Sequence, residues 1–179
     1  MSGAQQPEPN PLTIIFNYPR YVVPEQRLNP PLTVQLADPQ RYAAQTQIQP
    51  EYFYAEARCI WVDVVVEAGR MVIKDERTAT NDLCGSKLVY GTVKPSDGPG
   101  EYVVEFTFDP LWFVEQAGGY YYFQISVRAL RNGAHPGYEN EYQDPTIAFS
   151  EAMRDPDRGV IYVEPARRAW DGPSGRRGR

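Results

Sequence analysis

The sequence predicts a single all-β sandwich domain, and three observations carry that expectation. Period-2 alternation runs through two aromatic-rich segments, 102–108 and 121–129. Seventeen Pro and 14 Gly break the chain too often for long helices. No stretch keeps a 3.6-residue apolar period over three turns, and no repeat returns at a fixed spacing. Short strands separated by turn signals indicate an immunoglobulin-like sandwich, with a small barrel as the second choice. At 179 residues, with 42 % hydrophobic and 13 % aromatic side chains, the chain is long enough for one core with tails.

The polar, Pro-containing residues 1–10 are expected to be a disordered arm. Leu12, Ile14 and Phe16 alternate with Thr13 and Ile15 as a short strand, and a Pro-punctuated connector follows from Tyr18 to Pro31. In it, Pro30 forces Asn29 out of the helical region and stiffens the approach to a strand at Leu32–Leu36, which places Arg27 at one end of the sandwich. The longest β run is Tyr52 to Glu67. Its apolar parity moves from Ala55, Ala57, Cys59 and Trp61 to Val62, Val64 and Val66, so a β-bulge or a change of sheet is expected near Trp61.

Asp75 to Asp82 reads as a polar loop, Lys87 to Val93 as a strand, and Ser96-Asp97-Gly98-Pro99-Gly100 as a turn. Tyr102, Val104, Phe106 and Phe108, with Tyr121, Phe123, Ile125 and Val127, form the expected buried rows, and antiparallel pairing of these two strands is expected. Tyr120 and Tyr122 take the outward parity, and Trp112 and Phe113 follow Pro110. These rings fit either an exposed cleft or partner surface, or a second covered face. A loop from Arg131 to Asp144 precedes two weaker strands, Thr146–Phe149 and Val160–Val163.

Net charge is −5, unevenly spread: residues 166–179 hold five Arg against Asp171, a balance of +4 that leaves −9 on the rest. A basic end on an acidic body suits a phosphate backbone and suits an ordinary solvated tail equally. Cys59 and Cys84 are the only cysteines. With no secretory leader, no Asn-x-Ser/Thr site and no membrane-length apolar run, an intracellular, reduced protein is expected.

Catalysis finds little to work with. The one histidine, His135, sits in a Gly- and Pro-flanked loop, and neither cysteine has a nucleophile's surroundings. No CxxC or HxxxH spacing offers a zinc site, and Glu139, Glu141 and Asp144, or Asp155 and Asp157, lack the order of a calcium loop. Binding of macromolecules is the expected role, with no enzyme activity, cofactor or metal.

Several segments, in order, resemble the fungal velvet domain. Leu12–Phe16 and then Tyr18-Pro19-Arg20 resemble its opening strand and the segment after it. Arg27-Leu28-Asn29-Pro30-Pro31-Leu32-Thr33-Val34-Gln35-Leu36 resembles its Arg-Pro-Ile-Asp-Pro-Pro-Pro-Ile-Val-Gln-Leu block, the most specific match. Tyr52-Phe53-Tyr54-Ala55, Leu88–Val93, Phe106-Thr107-Phe108-Asp109-Pro110-Leu111 and Gly119–Phe123 are similar to later strands. Val163–Gly172, with Arg167 and Arg168, is similar to the basic Ala-Lys-Lys-Phe-Pro-Gly block. The resemblance spans residues 11–173, leaving 174–179 as a basic tail.

The resemblance implies a Rel-type immunoglobulin-like fold and homo- or heterodimerisation with other velvet-family proteins. It also implies nuclear action with shuttling from the cytoplasm, binding of double-stranded DNA, and control of fungal development, sporulation and secondary metabolism. The basic positions it carries over are Arg20, Arg27, Arg167 and Arg168, whose guanidinium forks suit phosphates and guanine edges. Trp112-Phe113-Val114 stands where the family has Ser-Val-Arg, and the first connector carries fewer cations. Two functional classes follow: a DNA-binding regulator, and a velvet-type partner or scaffold whose aromatic surface binds a DNA-competent relative.

Overall fold

A computed structural model describes residues 12–14, 20–130, 146–149 and 159–165, with the backbone alone at residue 14 and over 146–149. The expected arm at 1–10, Phe16, His135, Glu139, Glu141, Asp144, Asp155, Asp157, Arg167, Arg168 and the tail at 174–179 lie outside the described residues.

The chain forms an all-β sandwich. Its strands are β1 (Leu12–Ile14), β2 (Tyr21–Val22), β3 (Leu32–Ala37), β4 (Phe53–Glu67), β5 (Arg70–Thr78), β6 (Leu83–Gly85), β7 (Leu88–Tyr90), β8 (Thr92–Pro95), β9 (Tyr102–Phe108), β10 (Leu111–Phe113), β11 (Gly119–Ala129), β12 (Thr146–Phe149) and β13 (Ile161–Val163). One α-helix, α1 (Pro39–Thr46), follows β3. The first sheet runs β1-β3-β9-β8, and the second runs β2-β13-β11-β4-β5 with β12 beside β11 and β7 beside β4. A two-stranded piece, β10-β6, stands apart from both sheets.

Alternation explains the core. β3 contributes Leu32, Val34 and Leu36, β9 contributes Val104, Phe106 and Phe108, and β11 contributes Tyr121, Phe123, Ile125 and Val127, all buried. β4 adds Phe53, Ala55, Ala57 and Cys59 on one parity, then Ile60 and Val62 on the other. The expected change of parity is therefore present, at Cys59/Ile60. The ladder irregularity lies a little further on: Asp63 pairs with Asp75 and Val64 with Ile73, so Lys74 is the extra residue and the bulge belongs to β5.

Several expectations are corrected. β9 and β11 do not pair: β9 lies between β3 and β8, and β11 between β4 and β12/β13. Each strand finds its ladder partner within its own sheet, and the two apolar rows meet in the common core instead. Tyr102 is 47 % exposed, because β9 begins beyond the edge of the core, opposite Pro95. Asp75–Thr78 is not a loop but the second half of β5, a charged sheet edge of the kind that resists further pairing.

The Lys87–Val93 run splits at Gly91 into strands of different sheets. A Cβ there would stand 2.2 Å from Val104 Cγ1, so only glycine lets the chain cross so close to the core. Tyr122 is buried and its hydroxyl donates to Glu76 Oε2 at 3.2 Å, while Phe113 is in the core. For these two rings the covered-face reading holds and the exposed-cleft reading fails.

Candidate functional site

The chain around Arg27 is held by backbone bonds before its side chain is considered. After β2 it reverses at Val23–Gln26, where the Gln26 N–H donates to the Val23 carbonyl at 3.3 Å. It then lies along β10, with Glu25 N–H donating to the Phe113 carbonyl and Leu28 N–H to the Leu111 carbonyl, both at 2.8 Å. Leu28 is buried and acts as an anchor, which leaves Arg27 facing outward.

Arg27 Nε donates to Asp109 Oδ1 at 2.6 Å, and its Nη2 donates to Asp109 Oδ2. The pair is bidentate and open to solvent, with side chains 62 % and 30 % exposed. The guanidinium, by hydrogen bond and by charge, holds the Asp109 carboxyl below its ordinary pKa, and Asp109 raises that of Arg27 in return. Two of the five guanidinium N–H groups are taken by Asp109, so three remain for an incoming phosphate. Such a phosphate competes with a carboxylate already in place.

Arg20 is exposed, and its carbonyl accepts from the Tyr162 N–H at 2.7 Å. β2 and β13 run parallel, so Arg20 precedes the strand pair whose far end leads to Arg27 and Pro165. Pro165 is fixed there: Glu164 N–H donates to the Val22 carbonyl at 2.9 Å, and a Cβ on Gly118 would stand 2.9 Å from Pro165 Cα. Pro165 thus lies beside Gly118 at the end of the sandwich where β11 starts, and Arg167, two residues further on, lies outside the described residues. Of the four arginines expected at the site, the described residues place Arg20 and Arg27, separated by β2.

Beside this end lies a buried polar knot. The Tyr121 hydroxyl donates to Asp82 Oδ2 at 2.8 Å and accepts from the Gly118 N–H at 3.2 Å. Burial, reinforced by Asp82, pushes the Tyr121 hydroxyl well above its ordinary pKa. Cys59 donates its thiol to the Ala79 carbonyl at 2.8 Å, and burial, with the charge of Asp82, pushes that thiol up to about 12. Neither group is a nucleophile near neutral pH.

Tyr120, given the outward parity by the sequence, joins a row of rings on the outer face of the second sheet whose other members, Tyr21 and Tyr162, sequence reasoning missed. Tyr21, Tyr162 and Tyr120 fall in one register line, with ring centroids 5.9 Å apart for Tyr21–Tyr162 and 5.1 Å for Tyr120–Tyr162. On the opposite face of that sheet, the one Tyr121 takes, Arg77 stacks over Trp61 at 4.8 Å. At the opposite end, Tyr102, Pro39, Asp38 and Glu101 line a shallow cleft of about 490 Å³. Among the described residues no group of three or more His, Cys, Asp or Glu could hold a metal ion, and no helix is long and apolar enough to cross a membrane.

No protein-family model matches the chain, and no curated protein matches its sequence.

Proposed function

We propose that this chain is a velvet-type transcription regulator, built on an immunoglobulin-like, Rel-type sandwich, that binds DNA as a homo- or heterodimer. The observation that carries the reading is the meeting of its most specific velvet-like block, Arg27–Leu36, with a later one, Phe106–Leu111. Three rungs join Arg27–Leu36 to Phe106–Leu111, Leu32 with Phe108, Thr33 with Thr107 and Val34 with Phe106, and Arg27 closes on Asp109 beyond the last rung. Segments that resemble one family and stand far apart in sequence thus form one structural unit.

The strand order supports the fold part of the proposal. Labelled in immunoglobulin terms, β1-β3-β9-β8 corresponds to A-B-E-D, and β13-β11-β4-β5 to G-F-C-C′. Tyr121, near the start of the F-like strand, bonds back to the backbone of Gly118 in the manner of a tyrosine corner. On this reading the regulator acts in the nucleus on genes of fungal development, sporulation and secondary metabolism, with Arg20, Arg27, Arg167 and Arg168 as its DNA contacts.

One observation favours a second reading, a partner protein with little DNA affinity of its own: Arg27 is already engaged by Asp109. Titration of a DNA duplex at several salt concentrations, with the chain alone and with a velvet-domain partner, separates the two. A regulator gives salt-dependent binding. A partner protein gives a stable protein complex and no DNA signal alone.

A further inference from the structure

We propose that the cleft at the start of β9 is a docking site for an arginine of a partner protein, received by the Asp38 and Glu101 carboxylates and the Tyr102 ring. The cleft measures about 490 Å³, within the range of roughly 300–1,000 Å³ that ligand clefts occupy. Its walls are set where two ladders end side by side. Ala37 pairs with Val103 where β3 leaves β9, and Pro95 pairs with Tyr102 where β8 leaves it. The turn between β8 and β9 is closed by the Ser96 N–H, which donates to the Glu101 carbonyl at 2.9 Å, and by the Glu101 N–H, which donates to the Gly98 carbonyl at 3.1 Å. Buried Pro39 adds an apolar wall. The cleft therefore stands on fixed backbone, as a recognition site requires.

The charges in it are of one sign. Asp38 and Glu101 are the only charged residues in the lining, and both are exposed. An aspartate just before a helix ordinarily caps it through its carboxylate, yet Asp38, at φ 49° and ψ 56°, makes no such bond to α1. Among the described residues neither carboxylate forms an ion pair. The nearest cations in sequence are engaged elsewhere: Lys94 pairs with Glu105, and Arg41 lies over the Tyr42 ring at 5.9 Å. Beside the two acids the Tyr102 ring is 47 % exposed. Free carboxylates next to an open ring complement a guanidinium, whose edge bonds oxygen and whose plane stacks on an aromatic face. The same carboxylates repel phosphates, so the partner is a protein. This site shares no residue with the DNA contacts proposed above and stands or falls separately from them.

The test follows the Tyr102 ring and the Asp38 and Glu101 carboxyl resonances by NMR in the full chain. The probes are a short peptide with one arginine and the same peptide with citrulline, which keeps the shape and lacks the charge. The expected result is a saturable shift of all three groups with the arginine peptide and none with the citrulline peptide. Asp38→Asn and Glu101→Gln are each expected to weaken binding about threefold, and Tyr102→Leu by a similar factor. All three side chains are exposed, so these variants keep the fold. Three results overturn the proposal: no saturable response to the arginine peptide, an equal response to the citrulline peptide, or a Tyr102 ring resonance that moves without any probe in an Arg176→Gln, Arg177→Gln, Arg179→Gln variant. The last outcome would give the cleft to the chain's own basic tail.

Discussion

Arg27 and Asp109, 82 positions apart, form a bidentate pair at the end of the sandwich where the Arg27–Leu36 and Phe106–Leu111 segments meet. The carboxylate occupies the Nε–Nη2 edge of Arg27, and its charge opposes a phosphate approaching the three remaining N–H groups. Asp109→Asn is therefore expected to strengthen DNA binding and to steepen the log–log salt slope by about 0.9, one more phosphate contact. Fluorescence anisotropy with a labelled duplex at four salt concentrations reads both quantities, and unchanged values would remove Arg27 from the contact set.

The same pair sets a pH dependence. Asp109 has its pKa lowered by Arg27, so the pairing is fully present above the ordinary aspartate range, about 3.9, and is lost as pH falls through the lowered folded value. Both side chains face solvent, so the effect on global stability is small. A carbon-detected NMR titration is expected to place the Asp109 midpoint below that of an ordinary aspartate, and Arg27→Gln is expected to bring it back up.

In the core, Phe123 has no exposed surface, and its ring lies 6.1 Å from that of Phe113. Phe123→Ala is expected to cost about 3–5 kcal/mol in urea unfolding. Tyr121→Phe keeps the ring and removes the bonds to Asp82 and Gly118, at about 1–3 kcal/mol. A loss below about 0.5 kcal/mol would mean that the Tyr121–Asp82 knot does not hold the start of β11 in place.

Cys59 gives a prediction with the opposite pH sign. Its thiol titrates near 12 in the folded chain and near about 8.5 when unfolded. Stability from this group is thus complete below the unfolded value and declines as pH rises from there toward 12. In native protein at pH 8, Cys59 is expected to resist a thiol reagent while the partly exposed Cys84 reacts. Two equivalents reacting at one rate would contradict the burial of Cys59.

What was legible in the sequence is what one buried face imprints on a strand. Leu32–Leu36, Tyr52–Glu67, the 102–108 segment and the 121–129 segment each alternate because one side meets the core, and each is a strand within a residue or two of its expected bounds. Alternation does not say which strand is the neighbour, so β9 and β11 were paired when they belong to different sheets. Asp75–Thr78 was misread because an exposed edge strand has no buried face to mark it. β6 and β10 have three residues each, too few to show any period. Arg27 stands out in the sequence only through its motif, and its engagement by Asp109 is a tertiary fact that no local pattern carries.

The central claim is the proposal that Arg167 and Arg168 contact DNA phosphates, and the salt dependence of binding for Arg167→Ala/Arg168→Ala against wild type tests it most directly. Both proteins are to be measured alone and with a velvet-domain partner on the same duplex. The account predicts weaker binding by the double variant and a log–log slope flatter by about 1.8, at about 0.9 for each lost contact. Equal affinity and equal slope for the two proteins, in both settings, would contradict it.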